Sequence, residues 1–199
     1  MSATVVARPD GRVPPRVDTA RGTLGMWLFI VSEATLFVML FFAYVYLGHG
    51  AVRWADPRPS VPPALAMLVV LLGSSAVLLW GERRQREGRR THARAAVLVT
   101  AACGLAFLAL QGVEYAKRLR EITPRTNAYG STFYAITGLH GLHVLLGVLM
   151  LLYVWLLPDM GEAERPPHRA LHNAALYWHF VDAVWIVIVA ALYLAPAMT

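Results

Sequence analysis

Apolar residues in this chain run in blocks of twenty or more, separated by short stretches rich in arginine, proline and glycine. A helix of about 20 apolar residues is long enough to cross the hydrocarbon of a bilayer. In lipid the backbone must satisfy its own hydrogen bonds, so an apolar block of that length is read as a helix. Five blocks qualify: residues 23–47, 62–81, 94–115, 133–157 and 174–194. Pro62 and Pro63 open the second block, where the fixed φ of proline suits a first turn. Pro158 and Pro196 follow the fourth and fifth, where proline stops a helix. The expected fold is therefore all-α: a polytopic bundle of five transmembrane helices over residues 22–196, preceded by an arm at residues 1–21. No internal repeat or low-complexity domain interrupts this pattern.

Composition supports the same reading. Of 199 residues, 57% are hydrophobic and only 15% charged, against about a quarter charged in soluble domains. Cys103 is the single cysteine, which excludes an intramolecular disulfide and argues against a cysteine metal site; it reads as a small packed residue. The net charge of +6 would suit nucleic acid, but the arginines fall between the apolar blocks, where membrane topology places them, so no nucleic-acid partner is expected. The arm lacks the apolar core and small-residue cleavage site of a signal peptide, and its proline, glycine and arginine predict an irregular or surface-lying segment. Twelve Lys and Arg residues lie in the arm, the second loop and the fourth loop, against six in the other two loops. The positive-inside rule then puts the N-terminus in the cytoplasm and the C-terminus outside. The third loop, "AKRLREITPRTNAYG" (116–130), is basic for an outer loop. The run "ERRQREGRR" (82–90) either attracts anionic headgroups or is simply a solvated turn.

The costly positions are polar ones inside the spans. A charge at mid-membrane costs roughly 2.5–3.5 kcal/mol on insertion scales, so such residues face protein or water and take a partner. Glu33 lies about 15 Å from the inner end of the first span, and Asp182 about 12 Å from the inner end of the fifth, at 1.5 Å per residue. Glu114 sits near the outer end of the third span. His140 and His143, three apart, share a face of the fourth. With His179 they form a candidate metal or haem ligand set; the alternative is that each bonds a neighbouring helix, and the glycines at 138, 141 and 147 suggest such a packed face. Glu33 and Asp182 are either proton carriers or clamps that fix helix register. The glycines at 25, 73 and 104 read as sites of close helix approach. Trp27, Trp54, Trp80, Trp155, Tyr44, Tyr46 and Tyr193 fall near span ends, where aromatic belts sit.

At these same positions the sequence resembles a known family. "GMWLFIVSEATLF" (25–37), "LQGVEY" (110–115), "YGSTFYAITGLHGLHVLLG" (129–147) and "LYWHFVDAVWI" (176–186) are similar, in order, to the motifs of subunit III of the haem-copper oxidases. The resemblance covers roughly residues 21–195. It implies a non-catalytic subunit that binds no haem, copper or other metal itself. Haem and copper would reside in partner subunits, with subunit I as main contact and subunit II in the same complex. It implies bound phospholipid, a steadying role on the proton-uptake side of subunit I, and oxidase that inactivates during turnover when the subunit is lost. It also implies a multi-pass protein of the bacterial cell membrane, in an oxidase that couples electron transfer to O2 with proton translocation. Glu33 matches the family's buried carboxylate that reacts with hydrophobic carbodiimides. Glu114, His140, His143, Trp178, His179 and Asp182 match other motif positions; Glu33, Glu114, His140, His143, His179 and Asp182 are expected as buried polar clamps, and Trp27, Trp178 and Trp185 as lipid or packing residues.

The longer members have seven spans, and this chain matches the last five. The absent pair forms one arm of the lipid cleft, and in some five-span members subunit I carries extra helices; an extended subunit I is expected here. Glu33 within "SE" resembles the cytochrome c oxidase branch, whereas quinol oxidases and nitric-oxide-reductase-linked relatives often place Asp there. Two rival readings remain: a stand-alone proton transporter using Glu33 and Asp182, and a haem-carrying anchor using His140 and His179. The first lacks the broken helices and repeat symmetry that transporters often show.

Overall fold

The structure is a computed structural model that describes residues 19–49, 54–55, 59–157 and 167–195. Its helices are α1 (Thr19–Gly48), α2 (Val61–Arg86), α3 (Arg90–Arg118), α4 (Ala128–Leu156) and α5 (Pro167–Ile188), and α5 runs on into a π-helical turn, Val189–Leu194. All five are long and apolar enough to cross a membrane. Among the described residues there is no strand. Helix α1 begins at Thr19, so the last residues assigned to the arm are already helical; residues 1–18, like Pro158 and Pro196, lie outside the described residues.

The helices outrun the apolar blocks for local reasons. Helix α2 continues to Arg86 because the basic turn after Trp80 is itself a good helix former. It stops in a Schellman turn: the Gly88 amide donates to Gln85 O at 3.0 Å and the Arg89 amide to Arg84 O at 2.9 Å. That turn needs a left-handed residue, and Gly88 supplies it at φ +77°. Helix α4 starts at Ala128, five residues before the apolar block, because the Asn127 side chain accepts from the Gly130 amide at 2.7 Å and caps it.

Helices α2, α3, α4 and α5 pack in a closed ring, α2 on α3, α3 on α4, α4 on α5 and α5 back on α2. Helix α1 stands outside it, against α4 and α5. Only 17% of the apolar stretch of α1 is buried, against 56% for α5. Phe37 and Ile30 point inward, while Leu28, Val38 and Phe42 are exposed and cost nothing against lipid tails. At one end of the ring, here the first face, Glu82 of α2 meets His172 of α5 and the Arg94 guanidinium donates to Trp155 O at 3.0 Å. At the other, the second face, Tyr129 packs on Tyr44 and Trp54.

Small residues set the spacing within the ring. A Cβ on Gly104 would stand 2.6 Å from the Trp178 ring and one on Gly147 2.8 Å from it. Trp178 is fully buried, wedged between α3 and α4, and its indole N–H donates to Ser74 Oγ of α2 at 3.0 Å. One side chain of α5 thus ties three helices. Gly141 makes room for Gln111, and Gly81 for Ala96. Gly25 and Gly73 behave otherwise than their sequence pattern suggested: each faces open space, with nothing within 4 Å.

Candidate functional site: buried polar pairs between the spans

Glu33 and His143 join α1 to α4. His143 Nε2 lies 3.0 Å from Glu33 Oε2, and His143 Nδ1 lies 2.8 Å from Leu139 O. A carbonyl only accepts, so Nδ1 carries a hydrogen. Contact between Nε2 and the carboxyl then requires one further proton between the two groups: neutral Glu33 donates to the ring, or the imidazolium donates to the carboxylate. His143 is buried, whereas 22% of the Glu33 side chain is exposed, so the pair reaches the flank of the bundle. Phe37 covers the imidazole edge-on with centroids 5.0 Å apart, and Tyr177 donates to His143 O at 3.2 Å.

Ser75, His179 and Asp182 join α2 to α5. Ser75 Oγ lies 3.0 Å from His179 Nδ1 and within hydrogen-bond reach of Asp182 Oδ2. One hydroxyl proton serves two contacts, so Ser75 donates to one partner and accepts from the other. Asp182 is 4% exposed. Ser74, the adjacent residue, holds Trp178, and Thr100 of α3 donates to Ala96 O at 2.9 Å beside it.

Toward the second face, α3 meets α4. Gln111 Nε2 donates to Thr137 O at 2.7 Å, and the Tyr115 hydroxyl sits 2.6 Å from Thr137 Oγ1. Glu114 is buried and accepts from the Ser60 hydroxyl at 3.0 Å. Arg118 lies over the Phe133 ring at 4.7 Å.

The predicted polar residues thus fall into separate places. His143 turns to α1. His140, one turn earlier on the same helix, points into the ring, stacked on Trp185 with centroids 4.9 Å apart. His179 faces α2. Trp27 is half exposed on α1. Among the described residues no three of His, Cys, Asp and Glu come together to hold a metal ion. Sequence reasoning passed over Ser74, Ser75, Gln111 and Thr137: short polar side chains read as tolerated neighbours in an apolar helix, and only their partners on other helices single them out.

This arrangement defines a class: a polytopic helical membrane protein whose intramembrane acids, with His143 and His179, bond across helices. The family model described as cytochrome c oxidase subunit III matches residues 16–196. The chain is similar to cytochrome c oxidase subunit 3 of Synechocystis sp., 37% identical over 177 residues, 85% of this chain and 74% of that protein. It is also similar to that of Thermostichus vulcanus, 34% identical over 175 residues and 86% of each chain, and to that of Balaenoptera musculus, 36% identical over 178 residues, 85% of this chain and 67% of that protein. The chain belongs to the cytochrome c oxidase subunit III family.

Proposed function

We propose that this chain is the accessory subunit III of a respiratory haem-copper oxidase of the cytochrome c type, set in a bacterial cell membrane with its N-terminus cytoplasmic. It packs beside subunit I, with subunit II in the same complex, and steadies the proton-uptake side of subunit I together with bound phospholipid. Haem and copper reside in the partner subunits. The observation that carries the reading is how the intramembrane ionisable groups are used. Glu33 is matched to His143 and Asp182 to Ser75 across helix interfaces, the arrangement of a scaffold held in register. The exposed apolar flank of α1 gives lipid or a neighbouring subunit a surface to cover. The expected orientation puts the arginine-rich α2–α3 turn on the cytoplasmic side.

The test is a reduced-minus-oxidised visible spectrum of material captured from native membranes on a tagged copy of this chain in mild detergent. A haem a signal that vanishes when partners are stripped supports the proposal. Only b- or o-type haem in the partner moves the assignment to a quinol oxidase or nitric-oxide-linked complex. Haem that stays with the isolated chain overturns the accessory reading.

A further inference from the structure

The layer of the ring around His140 holds more polar atoms than it satisfies. His140 is 0% exposed, and among the described residues neither ring nitrogen has a hydrogen-bond partner. A neutral imidazole always carries one donor and one acceptor. Its neighbours on three other helices are aromatic: Phe37 of α1, Phe107 of α3 and Trp185 of α5. Trp185 is 1% exposed and its indole N–H is also unpartnered. One turn beyond Phe107 on α3, Gln111 reaches α4 at Thr137 and Gly141, and its Oε1 is unpartnered as well. Donors and acceptors are both represented, on three helices that meet around residues 137–141 of α4.

Leaving such groups unbonded in the core is costly. Internal water gathers where 2–4 otherwise unsatisfied polar groups converge. Trp178 is the contrast within the same helix. It is equally buried, but its N–H is used by Ser74 and its ring is gripped by Gly104 and Gly147. Trp178 and Trp185 are seven residues apart, so about 10 Å separates them along α5.

We propose that His140, Trp185 and Gln111 line an internal water site, held between α3, α4 and α5 and closed on the α1 side by Phe37. The site accepts a donor from water at Gln111 Oε1, offers the Trp185 N–H to water oxygen, and lets His140 do both. Its ligand is water. The proposal stands apart from the oxidase assignment, since it concerns only the interior of this chain.

The experiment is radiolytic hydroxyl-radical labelling in water enriched in oxygen-18, on this chain in the complex purified from its native membrane, read by peptide mass spectrometry. Radicals formed from bound water oxidise the side chains around it whatever their burial. Trp185 is expected to gain heavy oxygen severalfold faster than Trp178. Equal, background labelling of both tryptophans overturns the proposal. His140→Phe keeps the ring stack and removes both nitrogens; in complex that still assembles, it should bring Trp185 down to the Trp178 level. Undiminished labelling of Trp185 in that variant also overturns it, and the wild-type comparison decides the matter if the variant fails to assemble.

Discussion

Glu33 and His143, 110 residues apart in sequence, meet through a single hydrogen bond of 3.0 Å that ties the outlying helix α1 to the ring. Because Leu139 O claims the hydrogen on Nδ1, this bond holds one proton between its two groups, and either group can lose its partner by mutation. Glu33→Gln can still donate an amide N–H to Nε2. Glu33→Ala leaves Nε2 unbonded against Phe37, and should lower the stability of the assembled complex by about 1–2 kcal/mol. The difference between the two variants in midpoint of thermal inactivation checks this. Initial oxygen reduction should be unchanged in both; an immediate, large loss in fully assembled Glu33→Gln complex would show that Glu33 takes part in turnover.

The wedge at Trp178 makes an asymmetric prediction for glycines. Gly104→Ala and Gly147→Ala each force a methyl into the indole and should destabilise by about 1–3 kcal/mol, the usual cost of overpacking. Gly25→Ala and Gly73→Ala meet nothing and should be neutral or slightly stabilising, since alanine favours helix. Yield and thermal midpoint of the four variants, measured side by side, test the pattern.

Ser75 serves two partners, so its loss should exceed that of an ordinary membrane hydrogen bond, about 0.6 kcal/mol. Ser75→Ala removes the described partners of both His179 Nδ1 and Asp182 Oδ2 and is expected to cost about 1–3 kcal/mol. Asp182→Leu should reduce the amount of assembled complex more than the activity of what assembles. Normal yield with altered proton uptake would instead favour a relay through Asp182.

Gly88 faces open space at φ +77°, so Gly88→Ala isolates the backbone effect. A left-handed non-glycine residue costs roughly 1 kcal/mol. The thermal midpoint should fall accordingly, and Gly88→Asn, a residue that tolerates this conformation, should fall less.

The number of helices and their order are legible in the sequence because bilayer thickness imposes a length that few other structures share. Some ends are legible too, as where Pro62 and Pro63 open α2; others are not, since caps such as Asn127 and turns such as that at Gly88 are set by single residues outside the apolar blocks. The site shows the same division. Glu33, Asp182, His140 and His143 stand out because polar residues are expensive in a span. Their pairing does not, because it depends on helix rotation: His140 and His143 are only three residues apart, yet one points to α5 and the other to α1. The partners Ser74 and Ser75 carry no signal of cost and emerge only from the packed helices. The π-helical turn at the end of α5 had no sequence marker at all.

The Glu33–His143 bond also imposes a schedule on synthesis. Helix α1 leaves the ribosome before the helices of the ring, and its main contacts there are to α4 and α5, the last of them made. At 5–20 residues per second, the 110 residues between the partners occupy roughly 5–20 seconds of translation. Throughout that interval an acidic helix is in the bilayer without its histidine. The nascent α1 must therefore wait with Glu33 sheltered from lipid, by water or by another protein, until α4 arrives to receive it.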